Sequence, residues 1–188
     1  MSAVFWNQGW YRFAHRIDSP NFGPRPDPTD IDLVVIHAIS LPPGVYGSND
    51  VQDFFTNQLQ YERDPYFDHL RDIKVSAHFF IRRAGELIQF VSCDDRAWHA
   101  GESEHAGRAN CNDFSIGIEL EGIDGETFTP EQYESLISLL PVLALRYPLK
   151  HIVGHEHIAP SRKKDPGPGF SWGFLQQGLG WDHPDFPL

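Results

Sequence analysis

Seven residues, Ile31 to His37 (IDLVVIH), constrain the fold more than any other stretch of the chain. The run is short, apolar and rich in β-branched side chains, which is how a central strand covered on both faces reads. It stops at a histidine, so an imidazole is expected at the strand's end. Further along, Phe114 to Glu121 (FSIGIELE) alternates: Ile116, Ile118 and Leu120 point one way, while Gly117, Glu119 and Glu121 point the other.

The segments between these strands read as helices and turns. Ser48 or Asn49 is placed to cap a helix carrying Val51, Phe54, Phe55 and Leu59. Val75 to Arg83 and Glu86 to Val91 read as two strands joined at Ala84-Gly85. The polar stretch Arg96 to Cys111 reads as a loop. Thr129-Pro130-Glu131-Gln132 is a capping box with proline at the first helical position. The helix it opens runs through Tyr133, Leu136, Ile137, Leu140 and Ala144, with Pro141 expected to kink or interrupt it. Ile152-Val153 is a strand stub, and a short helix is expected near Trp172 to Gln177. Strands alternating with helices give the fold class: α/β, a single domain with a mixed central β-sheet flanked by helices. An aromatic and Pro-rich segment over 1–30 should pack on that domain, which spans 31–180, with a tail over 181–188.

Charge narrows the partners. Fifteen Lys+Arg against 26 Asp+Glu leave a net charge of −11, which repels nucleic acid and anionic lipid. No membrane partner and no obligate protein partner is expected. The opening Met1-Ser2-Ala3-Val4-Phe5-Trp6 lacks a basic segment followed by an apolar one, and Cys93 and Cys111 form no disulfide framework. A cytoplasmic location is expected.

Ten histidines are many for 188 residues, and the question is which converge. His37 ends one strand, His155 follows another, and Asp165 lies in a proline-stiffened loop ten residues later. Two imidazoles and one carboxylate are a common donor set for catalytic zinc, with a fourth position left for water. Taken singly, each residue also reads as a hydrogen-bonded histidine or a surface turn aspartate. A carboxylate beside such an ion acts as general base, and Glu119 and Glu121 both qualify. Lys163, two residues before Asp165, is placed to stabilise the anion of a tetrahedral intermediate. His155-Glu156-His157-Ile158-Ala159 lacks the second histidine of HExxH, and neither a GxSxG elbow nor a phosphate-binding GxxxxGK[ST] is present. His78 is expected to line the site or to be buried.

Five blocks carry a resemblance: Val35-Ile36-His37 through Pro42-Pro43-Gly44, Val75-Ser76-Ala77-His78, Arg96-Ala97-Trp98-His99-Ala100-Gly101, Cys111-Asn112-Asp113 through Glu121-Gly122, and Gly154-His155 through Gly167-Pro168. Together, between about Ser19 and Trp172, they resemble AmpD-type 1,6-anhydro-N-acetylmuramyl-L-alanine amidases. That branch belongs to the zinc amidase superfamily of T7-type lysozyme and peptidoglycan recognition proteins. The resemblance implies Zn2+ on His37, His155 and Asp165, Glu119 rather than Glu121 as the catalytic carboxylate, and Lys163 at the oxyanion. It implies hydrolysis of the amide between the lactyl group of anhydro-N-acetylmuramic acid and L-alanine, in peptidoglycan recycling. The substrate is then a small anionic muropeptide, for which Trp98, Lys74, His78, Asn110 and Arg108 are the expected contacts. Arg108, Arg162 and Lys164 would supply a local basic rim. The chain departs from the family pattern at Ala38, usually Asn, at Asn110, often Arg, and at Lys74, usually Arg. The competing readings are a muropeptide-binding module without catalysis and a lytic amidase acting on intact cell wall.

Overall fold

The computed structural model describes residues 2–181; Met1 and all of the expected tail beyond Trp181 lie outside the described residues. The apolar run forms a strand at Leu33–Ile39, buried from end to end except for its last two residues. We number the strands of the main sheet in chain order: β1 His15–Arg16, β2 Leu33–Ile39, β3 Phe79–Ile81, β4 Leu87–Gln89, β5 Ser115–Glu121 and β6 His151–Gly154. Their spatial order is β6-β2-β5-β3-β4-β1. β6, β2, β5 and β3 run parallel, β4 turns back antiparallel to β3, and β1 lies parallel to β4. The sheet is therefore mixed, and the structure is a single α/β domain. The hairpin expected at Ala84-Gly85 is present, with Gly85 at φ +82. Its strands are shorter than the sequence suggests: at the near end His78 still bonds Phe90 and Gly117, but Ser76 N turns to the Trp98 carbonyl.

One face of the sheet is a continuous apolar layer. Ile36, Ile116, Ile118, Leu120, Phe79 and Ile81 pack there against Tyr133, Leu136, Leu140 and Leu143 of the helix Pro130–Ala144 (α2). Thr129 caps that helix with the full reciprocal box. Pro141 does not interrupt it: the helix runs on to Ala144, the proline costing only the one bond that an N–H at 141 would give the Ile137 carbonyl, while Leu145 N still bonds the Pro141 carbonyl at 3.0 Å. Burying Leu136, Leu140 and Leu143 completely stabilises the layer by roughly 1.5–3 kcal/mol per side chain.

The other face is divided. Phe80, Ile88 and Phe90 meet Val51, Phe54 and Phe55 of the helix Asp50–Phe55 (α1), while Leu33 and Val35 meet Ala100, Cys111, Phe114 and Ile158. Asn49 caps α1 without a side-chain bond; Ser48 instead accepts from Asp50 N at 3.3 Å, and Leu59 lies beyond the helix end. Between these two clusters the sheet presents polar residues, and this gap holds the site. Two short helices complete the frame, His155–Ile158 (α3) directly after β6 and Trp172–Leu179 (α4) packed on α2. Part of the stretch read as loop forms ladders instead: Arg96–Ala97 pairs with Phe22–Gly23, and Glu104–His105 pairs with Arg108–Ala109. No helix among the described residues is long and apolar enough to cross a membrane.

Candidate active site

Strand register brings the chemistry together. Glu119 on β5 stands opposite His37 on β2, and Gly154 on β6 stands opposite Ile36, so His155 emerges beside His37. Three neighbouring parallel strands thus deliver a carboxyl and two imidazoles at their carboxyl ends, where open α/β sheets place their ligands. Asp165 arrives from the loop after α3. Its carbonyl accepts from Glu156 N at 2.9 Å, and Pro166 packs on Gly154, where an added Cβ would come within 2.7 Å of the proline ring. A residue with any side chain at 154 would push that loop off the strand.

The donors converge closely. His37 Nδ1 lies 2.9 Å from His155 Nδ1 and 3.3 Å from Asp165 Oδ2, and His155 Nδ1 lies 3.2 Å from the same oxygen. Both histidines are buried and Asp165 is largely so. Among the described residues, these three form the one cluster of His, Cys, Asp or Glu able to hold a metal ion. Donors about 2.0–2.1 Å from a tetrahedral ion stand roughly 3.3 Å apart, so the spacing fits zinc. The protonation states fit as well. Burial, reinforced by His155, drives His37 down to about 4, keeping the ring neutral near pH 7. Burial works against the charge on Asp165, but its contacts with His155 and His37 outweigh it and hold its pKa well below the usual carboxylate range.

Glu119 is buried, and its Oε2 has no hydrogen-bond partner. Burial, with Asp165 adding to it, raises its pKa well above the usual range, while Lys163 pulls it back. A carboxyl so placed exchanges protons readily. Glu121, the other carboxylate of the strand, accepts from Gly47 N at 2.6 Å and Arg83 N at 2.9 Å, which ties down two loops and leaves it no part in the cavity. The cavity itself measures about 620 Å³. His99, Glu119, His155, Lys163, Lys164 and Asp165 line its polar side. Leu41, Phe54, Tyr66, Leu70 and Ile73 form an apolar wall that the sequence reading did not assign.

None of the five expected substrate contacts lines the cavity itself, although two adjoin residues that do. His78 is fully buried, its Nδ1 accepting from Gly117 N at 3.0 Å and its Nε2 facing Asp95 O at 3.1 Å. Arg108 pairs with Asp30 and with Asp32 (3.0 Å) and stacks on Phe114, so it serves the fold and not the cavity's lining. Asn110 is exposed in a left-handed conformation at φ 59 before a short turn. Lys74 is exposed between the lining residues Ile73 and Val75, and Trp98 adjoins the lining residue His99. Of the expected basic rim, Lys164 and Arg162 line the cavity, although Arg162 also donates to the carbonyls of Ala100 and Glu102.

The buried histidines make an acid-stability prediction. Burial pushes His78 and His99, like His37, well below the ordinary histidine range. Below pH ~6.5 the unfolded chain takes up protons that these folded rings refuse, so stability falls as pH falls. Glu119 acts in the opposite sense, one group against three. Metal-free protein is expected to lose about 1.4 kcal/mol per pH unit for each net proton as pH drops from ~6.5 towards ~4. Urea midpoints across that range measure it, and a flat profile contradicts it.

A mixed sheet that gathers two imidazoles, a carboxylate, a buried unpartnered glutamate and a lysine around one cleft is the layout of a hydrolytic α/β domain. Residues 27–168 match the Amidase_2 family, described as N-acetylmuramoyl-L-alanine amidase. The chain belongs to this family of amidases and, within it, to the AmpD type. It is 47% identical over 168 residues to the 1,6-anhydro-N-acetylmuramyl-L-alanine amidase AmpD of Citrobacter freundii, covering 88% of this chain and 90% of that one. A crystal structure of a selenomethionine AmpD derivative superposes with a TM-score of 0.90 at 45% identity, over 92% of this chain and 98% of the other. The amidase AmiD from Escherichia coli, solved with the substrate anhydro-N-acetylmuramic acid-L-Ala-D-gamma-Glu-L-Lys, matches with a TM-score of 0.58 at 32% identity, over 79% of this chain and 57% of that one.

Proposed function

We propose that this amidase hydrolyses the bond between the lactyl carbonyl of 1,6-anhydro-N-acetylmuramic acid and the L-alanine nitrogen, with zinc on His37, His155 and Asp165. We place the reaction in the cytoplasm, in peptidoglycan recycling. The observation that carries the reading is the unpartnered Glu119 Oε2, buried in the cavity that His155 and Asp165 also line, two of three donors spaced for zinc. Similarity to proteins named for that substrate supports the choice of amide.

Zinc bound there supplies a Lewis acid that polarises a carbonyl and acidifies water. The chain's own groups do the rest. Glu119 takes a proton from the attacking water as the new C–O bond forms at the lactyl carbon. It then returns that proton to the alanine nitrogen as the C–N bond breaks, and the second water proton passes from the new carboxyl to the amine or solvent, leaving a lactyl carboxylate and a free stem-peptide ammonium. Lys163 lines the same cavity, and its charge acts on both Glu119 and His37, so it is positioned to offset negative charge on the carbonyl oxygen. The apolar wall keeps bulk water from diluting these fields. Lys164, exposed at the rim, faces the acidic stem peptide despite the net charge of −11.

Mass spectrometry of products from purified anhydro-muropeptide, intact muropeptide and whole sacculi tests this reading. Release of intact stem peptide from the anhydro-muropeptide in preference to the other two is expected. Preferential digestion of sacculi would favour a lytic amidase, and binding without turnover would favour a recognition module.

A further inference from the structure

His99 is buried, lines the cavity and takes no part in the steps above. Its neighbours leave it one tautomer. Ser115 Oγ gives its single proton to the Cys111 carbonyl at 2.5 Å, so toward His99 Nε2, 3.2 Å away, it acts as acceptor. His99 Nδ1 therefore carries a lone pair, and His37 Nε2 at 2.9 Å donates to it. With its proton on Nε2, His37 keeps a lone pair on Nδ1, the atom that faces His155 and Asp165. The following residue does the same for the second imidazole. The Ala100 carbonyl accepts from His155 Nε2 at 3.1 Å, which leaves the His155 Nδ1 lone pair turned to the same point.

The surroundings are built to hold this loop. Asn112 Oδ1 accepts from the backbone N–H of both His99 (3.0 Å) and Ala100 (2.8 Å). Arg162 Nη2 reaches the Ala100 carbonyl at 2.8 Å. Gly117 on β5 makes room for the ring: a Cβ there would lie 2.4 Å from His99 Cγ. Ser115, Gly117 and His37 thus meet around one imidazole, while Asn112 and Arg162 hold the backbone that carries it.

We propose that His99 is a positioning residue of the metal centre, holding His37 in the tautomer and ring orientation that present Nδ1 to the ion. The Ala100 carbonyl does the same for His155. The proposal rests on the zinc reading of His37, His155 and Asp165. Outer partners of this kind set ligand orientation and typically govern metal affinity by about 10–100-fold.

The test compares wild type with His99→Leu, which removes the acceptor, and His99→Asn, which keeps an oxygen near the place of Nδ1. Zinc affinity is read by chelator competition, and the His37 tautomer by long-range 1H–15N spectra of metal-free protein. Wild-type His37 protonated on Nε2, zinc weakened about 10–100-fold in His99→Leu and largely recovered in His99→Asn are expected. His37 protonated on Nδ1 in wild type, or equal zinc affinity in both variants and wild type, overturns the proposal. If His99→Leu fails to fold, the Asn variant and the wild-type tautomer still decide. Wild type that takes up no zinc overturns the zinc reading and this proposal together, whereas unchanged affinity in a zinc-binding Leu variant overturns this proposal alone.

Discussion

Glu119→Gln is expected to lower kcat by about 10²–10⁴-fold, the usual contribution of a positioned general acid–base. Zinc content and KM should stay close to wild type. The reasoning is geometric. Glu119 Oε2 is buried with no hydrogen-bond partner, so the amide of glutamine fills the same volume without accepting a proton. Because β5 is paired along both edges and Ile116, Ile118 and Leu120 on its opposite face are core, the substitution leaves the frame unmoved. Glu121→Gln provides the contrast. That carboxylate holds Gly47 N and Arg83 N, and its loss should lower the melting temperature more than kcat. Steady-state kinetics beside thermal melts separate the two. A Glu119→Gln enzyme with wild-type kcat would remove the proposed acid–base role.

His155→Ala and Asp165→Ala are expected to cost about 10³-fold or more in kcat/KM at limiting zinc, since several kcal/mol of charge stabilisation depart with the ion. Each variant leaves two donors where three stand within 3.3 Å of one another. Without an ion, these lone pairs face each other across a short gap. Each substitution also deletes contacts of its own, His155 Nε2 to the Ala100 carbonyl among them, so lost zinc uptake and not a changed melting point is the diagnostic result. Metal analysis and activity against added zinc measure this. Variants that retain stoichiometric zinc and activity would show that the cluster is not the metal site.

Much of this site was legible in the sequence because it follows strand chemistry. An apolar run ending at His37 and an alternating run carrying Glu119 are local patterns, and each forms the expected strand. Register was not legible. The alignment of Glu119 with His37, and of Gly154 with Ile36, is set by parallel pairing between segments far apart in the chain. The same limit applies to Arg108, whose pairing with Asp30 and Asp32, 78 and 76 residues away, no local pattern encodes. His99 is a third case. Its block was noticed, but its role depends on Ser115, Gly117 and His37 meeting around one ring, and no spacing within a single segment encodes that. Pro141 is a different case: the helix continues past it because a proline removes only its own N–H bond, and the packed apolar face outlasts that loss.

The most direct test of the central claim follows cleavage of purified anhydro-muropeptide by mass spectrometry, before chelation, after it, and after stepwise return of zinc. The account predicts loss of stem-peptide release on chelation and its recovery at one zinc per chain. Undiminished cleavage by protein shown to be free of metal would contradict it.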